Sequence, residues 1–109
     1  MFISEFARKT GVSVDTLRYY ENIGLLPCIP RNNSGMRVYD DFVENRVRLI
    51  KALKNCGMSL KDMLLYIELL NAGEETIDKR KNILNQVKGR LLQKIAVMRA
   101  MVQNVELQF

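Results

Sequence analysis

The stretch TLRYYENIGLL, Thr16 to Leu26, places an arginine and two adjacent tyrosines in the middle of a short helical pattern and closes it at Gly24. Leu17, Tyr20 and Gly24 recur at spacings of three and four, so they share one face, which packs inward. Asp15, Arg18, Tyr19 and Asn22 fall on the opposite side. The helical period therefore separates the tyrosines: Tyr20 turns inward with its hydroxyl near the rim, and Tyr19 turns outward beside Arg18.

Upstream, Ser4 is positioned to cap a first short helix with Phe6 and Ala7 on its apolar side, and Gly11 ends it by accepting a left-handed turn. Ser13 caps the second helix. A small Ala7 four residues before a turn glycine, then Val12 and an immediate new helix, is the pattern of a helix-turn-helix, in which close crossing requires a small side chain.

Downstream, PCIPRNNSGMRVYDD (Pro27 to Asp41) removes two backbone donors at its prolines and supplies turn chemistry at Asn33, Ser34 and Gly35, which predicts a β-hairpin. Alternation on its return strand puts Arg37 and Tyr39 on one face and Met36 and Val38 on the other. Asp40 or Asp41 caps a third helix, Glu44 completes a box-like arrangement with Asp41, and Val43, Val47, Ile50 and Leu53 form its stripe. Gly57 ends that helix. Ser59 caps a fourth, with Met63, Tyr66, Ile67 and Leu70 as its apolar residues, closing near Gly73.

No proline interrupts the pattern from Glu74 to Val105. Within it Ile77, Leu84, Leu91, Met98 and Val105 recur at intervals of seven, flanked by Val87, Ile95, Met101 and Val102, which is the signature of a coiled coil. Burying each such side chain contributes about 1.5 to 3 kcal/mol, so a lone helix exposing the stripe lacks its main stabilisation. Dimerisation with a second copy through Leu84, Val87, Leu91, Ile95, Met98, Met101, Val102 and Val105 is the simplest remedy.

The whole chain bounds these readings. At 109 residues, 48% apolar and 27% charged, it supports one modest globular core. A net charge of +5 and a pI near 9.4 favour a polyanionic partner. Nine Lys/Arg lie in residues 1–59 and eight in 60–109, so folding rather than a basic tail must gather them. MFISEFARKTG lacks the features of a secretory leader and no apolar run is long enough to span a bilayer, so a cytoplasmic location is expected without membrane association. Cys28 and Cys56 stand far apart and histidine is absent, which argues against a zinc site, a disulfide framework or any other cofactor.

TLRYYENIGLL, then RNNSGMRVYDD, then CGMSLKD, then one long helix: in this order the chain resembles the MerR family of bacterial transcription regulators. The resemblance is carried by RYYE-x-x-GL followed by S-G-x-R-x-Y over roughly the first 70 residues. It implies a mainly α fold, a winged helix-turn-helix DNA-binding domain with a small β-hairpin wing over residues 1–72, and an antiparallel coiled-coil dimerisation helix over residues 73–109. It further implies a homodimer on a near-palindromic promoter operator, which bends and untwists the double-stranded DNA so that RNA polymerase engages both promoter elements.

Within that frame the resemblance assigns Arg18 and Tyr19 to DNA backbone or base contacts, since a guanidinium clamps phosphate or guanine edges and a phenol adds a donor. The plainer alternative is a solvated patch pairing Arg18 with Glu21 or Asp15. Asp15 and Thr16 can read bases, or Asp15 can simply favour the helix N-terminus. Arg37 and Tyr39 are expected as phosphate contacts from the wing, with Tyr39 covering the core edge as the alternative. Lys61 can grip a further phosphate or remain a free surface lysine. Arg46, Arg48, Lys51 and Lys54 read as the wet face of the third helix.

A branch of the family answers aldehydes and other electrophiles through a cysteine on the third helix. This chain holds Ala52 where that thiol is expected and carries Cys56 one turn later, so Cys56 is the candidate effector thiol, with inert packing as the alternative. GEETIDKRK at the start of the long helix has no thiol or imidazole, which disfavours metal sensing, and drug sensing through an appended domain is not expected. Two other function classes stay open: an architectural or recombination-associated DNA-bending protein not acting at a promoter, and a coiled-coil adaptor. An enzyme is the poorest option, because no phosphate loop, Cys-His pair or other reaction centre is present.

Overall fold

Five helices carry the chain in the computed structural model, which describes residues 1–109. They are α1 (Ile3–Thr10), α2 (Val14–Ile23), α3 (Asp41–Asn55), α4 (Leu60–Ala72) and α5 (Ile77–Glu106), with a 3-10 turn at Glu74–Thr76 before α5. The fold is mainly α, as expected.

Three of the four proposed starts are built as the capping chemistry requires. Ser13 accepts a hydrogen bond from the Thr16 amide at 3.1 Å, Ser59 from the Asp62 amide at 3.1 Å and Asp40 from the Val43 amide at 3.0 Å. Ser4 does not cap α1; the helix begins two residues earlier, at Ile3 behind Phe2, without a side-chain cap. Nor does Glu44 close a box with Asp41. It is buried and reaches across to Lys9 on α1 at 3.1 Å and along α3 to Arg48 at 3.2 Å. A distant ammonium satisfies this carboxylate, so the local capping pattern loses.

Phe6, Leu17, Leu25, Ile29, Val47 and Ile50 are the most fully buried side chains. They join α1, α2, α3 and the segment after α2 into one core, which Met63, Tyr66 and Ile67 of α4 and Val87 of α5 extend. Gly11 makes the tight turn from α1 to α2 at φ 71°, its amide bonded to the Ala7 carbonyl at 2.9 Å.

The expected hairpin does not form two strands. One antiparallel bridge joins Arg31 and Arg37, flanked by Val38 N–H to Pro30 C=O at 2.8 Å and Asn32 N–H to Met36 C=O at 2.9 Å. Asn32 Oδ1 holds the turn by accepting from the Ser34 and Met36 amides, both at 3.0 Å. Pro27 and Pro30 remove donors on one side. Beyond Val38 the return segment leaves its partner, and Tyr39 bonds the backbone of Met1 instead.

Tyr39 is the clearest correction. It is not an exposed wing residue: it is 3% exposed and its ring stacks on Phe6 with centroids 4.4 Å apart. A phenol ring buries far more apolar area in the core than on a wet hairpin, and that gain decides its direction. Val87 is a second correction, since it is buried within its own chain rather than left free for a partner.

Candidate nucleic-acid interface

The Ser13 cap fixes the start of α2, and its hydroxyl also donates to Thr16 Oγ1 at 2.8 Å, which holds Thr16 against the helix start. Leu17 and Tyr20 go into the core. That packing leaves Asp15, Arg18 and Tyr19 on the free side, Tyr19 being 49% exposed. Arg18 approaches only Asp15, at 4.0 Å with both side chains largely in water, so this pair is weak and the guanidinium stays available. Pairing of Arg18 with Glu21 does not occur.

Glu21 is occupied elsewhere. Its Oε1 accepts from Arg37 Nε at 2.7 Å and its Oε2 accepts from the Ile29 amide at 2.8 Å. Burial pushes the carboxyl up, but the Ile29 amide and the Arg37 guanidinium, helped by Arg31, outweigh it and hold the group below the usual glutamate value. One carboxylate thus clamps α2, the segment after it and the Arg31–Arg37 turn. Arg37 is expected at the interface, and it does line the groove beside Arg18 while spending its Nε on Glu21.

Three grooves border α2, and two of them carry cations with no carboxylate in their lining. One, bounded by Phe2, Ile3, Arg18, Arg31 and Arg37, gathers three guanidinium-bearing side chains from α2 and the turn that follows it. The other, bounded by Gly11, Ser13, Thr16, Lys51 and Lys54, adds two lysines at the start of α2. Folding therefore brings Arg31, Arg37, Lys51 and Lys54 to the flanks of the helix that carries Arg18. Arg31 and Lys54 were missed as members of this face, because only the fold brings them beside α2.

Lys51 has a defined role that the sequence reading left out: its Nζ donates to the Thr10 carbonyl at 2.6 Å, closing the C-terminal end of α1 from 41 residues away. Lys61 is exposed in the first turn of α4, and no ion pair holds it. Tyr39 contributes from beneath, as the ring behind the turn. Burial raises its phenol pKa, and its hydroxyl has no hydrogen-bond partner.

On α5, Val87 and the half-buried Leu91 pack on the core, whereas Leu84, Ile95, Met98, Met101, Val102 and Val105 are exposed. Cys56 sits half-buried at the C-terminal end of α3. At the following residue, the Lys94 ammonium of α5 stands 3.3 Å from where a Cβ on Gly57 would lie. Cys28 is exposed and lines a separate groove with Arg18, Glu21 and Arg37. No group of three or more His, Cys, Asp or Glu side chains is placed to hold a metal, and no helix is long and apolar enough to cross a membrane.

Comparison with known proteins agrees with this geometry. HTH-type transcriptional regulator AdhR of Bacillus subtilis is 38% identical over 93 residues, covering 85% of this chain and 66% of the relative. The uncharacterized HTH-type transcriptional regulator YyaN of the same organism is 47% identical over 66 residues, covering 61% of this chain and 48% of that protein. The chain spans about two thirds or less of the length of these curated relatives.

Among solved structures, a protein from Listeria monocytogenes assigned to the MerR family superposes with a TM-score of 0.88 at 32% identity, covering 99% of this chain and 82% of that one. HiNmlR, described as a MerR family regulator lacking the sensor domain and bound to promoter DNA, superposes with a TM-score of 0.83 at 32% identity, covering 94% and 78%. The family model for MerR HTH family regulatory proteins matches residues 1–69. With its helix-turn-helix, its exposed Arg18/Tyr19 face and its projecting α5, this chain belongs to the MerR family of helix-turn-helix regulatory proteins.

Proposed function

We propose that the protein is a transcription regulator that binds a near-palindromic promoter operator as a homodimer. The observation that carries this reading is the division of α2: Leu17 and Tyr20 anchor it, and Asp15, Arg18 and Tyr19 face outward between two basic grooves. An exposed helix of this kind fits the major groove, where Arg18 and Tyr19 meet base edges or phosphates and Thr16 and Asp15 lie at the entering end. The Arg31–Arg37 turn serves as the wing, with Arg31 and Arg37 against phosphates. Lys61 supplies a further backbone contact. HiNmlR, to which the chain is similar, supports the choice of promoter DNA as the partner.

In this reading residues 1–72 form the DNA-binding unit and residues 73–109 the dimerisation helix. The exposed stripe of Leu84, Ile95, Met98, Met101, Val102 and Val105 pairs with the same stripe of a second copy in an antiparallel coiled coil. Bending and untwisting of the bound duplex then governs how RNA polymerase engages the promoter. The working location is the cytoplasm.

Mobility shifts on the gene's own upstream region, with random duplex as competitor, test the proposal. Retention on that region at competitor excess supports it; affinity no better than for random DNA, or undiminished by Arg18→Ala, overturns it. The architectural reading predicts instead a bound site outside any promoter and reporter output indifferent to deletion. Cys56, half-buried at the end of α3, is the candidate thiol for an electrophile response. Reporter induction by aldehydes and oxidants should be lost in Cys56→Ser, and an equal response removes the thiol from the mechanism.

A further inference from the structure

Between the DNA-binding unit and the long helix the chain turns at Gly73, whose φ of 108° and ψ of −165° lie in a region open essentially to glycine. The Gly73 amide bonds the Leu70 carbonyl at 3.3 Å, so the last turn of α4 tightens and the Leu69 carbonyl loses its partner in the helical ladder. Thr76 takes that carbonyl. Its Oγ1 donates to Leu69 C=O at 2.6 Å and shares the same proton with Gly73 C=O at 2.8 Å. The hydroxyl oxygen in turn accepts from Arg80 Nε at 3.0 Å, in the first turn of α5. One buried hydroxyl therefore joins the end of α4, the turn and the start of α5.

We propose that Thr76 is a positioning residue for DNA binding: its clasp fixes the direction in which α5 leaves the DNA-binding unit, and with it the separation of the two recognition helices in a dimer. The inference rests on the homodimeric regulator reading above. Its physical basis is leverage. A helix the length of α5 extends about 45 Å, so a pivot of roughly 10° at its base moves its far end by about 8 Å. Half-sites on a duplex recur at about 34 Å, and a displacement of that size is a large fraction of the repeat. Polar contacts within one buried hydroxyl are directional, unlike the apolar packing of Val87, and so define an angle as well as a contact.

The test uses the full-length chain and a duplex selected by the native protein from a randomised pool. Binding is measured to a single half-site and to two half-sites with the spacer changed by one or two base pairs, and bending is read by energy transfer between the duplex ends. Thr76→Val keeps the shape and removes the hydroxyl; Thr76→Ser keeps the hydroxyl. We expect Thr76→Val to remain dimeric and to bind the half-site as the native chain does. Its preference for the native spacer over the altered ones should fall about tenfold, with a changed bend, and Thr76→Ser should restore both. Arg80→Met reads the same preference if Thr76→Val does not fold. A native spacer profile and bend in the variants lacking the hydroxyl or the guanidinium, or a Thr76→Ser no better than Thr76→Val, overturns the positioning role. A native chain that selects no duplex overturns the regulator reading itself.

Discussion

Glu21 and Arg37 are joined by a 2.7 Å hydrogen bond between Oε1 and Nε, and the other oxygen of the same carboxylate holds the Ile29 amide at 2.8 Å. This pair explains why RYYE and S-G-x-R-x-Y occur together in one chain: the last residue of the first motif holds the arginine of the second. Both side chains are mostly shielded from water, so the interaction is not screened as a surface pair would be.

Removal of that carboxylate should therefore be felt twice. Glu21→Ala is expected to lower folding stability by about 2 kcal/mol, since it leaves both the Ile29 amide and the Arg37 guanidinium without their charged partner. Urea unfolding measures this, and mobility shifts should show weaker DNA binding from a turn that no longer docks.

Acid provides an independent check. The folded-state pKa of Glu21 lies below its ordinary value of 4.5. Its stabilisation is thus complete above the unfolded-state pKa and disappears as pH falls through the folded one. Glu21→Gln should lose stability at neutral pH and show a shallower decline than the native chain as the pH falls through and below the ordinary glutamate value. Parallel acid limbs in urea midpoint against pH would contradict the assignment.

Arg18→Ala should leave the fold almost untouched, within about 0.5 kcal/mol, because the side chain is exposed and its pairing with Asp15 is weak. The same change should weaken DNA binding and reduce the slope of log affinity against log salt by about 1 if the contact is to phosphate. Titrations at several salt concentrations separate the two effects.

Val87 and Val102 lie on the same helix and should behave differently. Val87→Ala opens space in the protomer's own core and should cost about 1 to 3 kcal/mol of stability. Val102→Asp puts charge into an exposed stripe and should shift sedimentation toward the monomer while helices α1 to α4 stay folded.

Legibility from sequence followed the range of the forces. The inward and outward faces of α2 were readable because a single helical period separates Leu17 and Tyr20 from Arg18 and Tyr19. Caps at Ser13, Asp40 and Ser59 were readable because their partners lie three residues on. Glu44 was misread because its decisive partner, Lys9, is on another helix, and Lys51 because Thr10 is 41 positions away. Tyr39 was misplaced since alternation assumes a strand, and the segment stops being one just before that residue. Arg31 could have been found from the same motif that gave Arg37, by counting back across the five residues of the turn.

The exposed outer part of α5 has one more consequence. Beyond Leu91 every side chain of that helix is exposed, so an isolated copy offers its outer turns little protection. Amide protons there should exchange with deuterium quickly in dilute solution and slowly in concentrated solution. In the proposed dimer two molecules cover them, so at low abundance the concentration of finished assemblies rises with the square of the amount synthesised, and gene dosage itself becomes a control on occupancy.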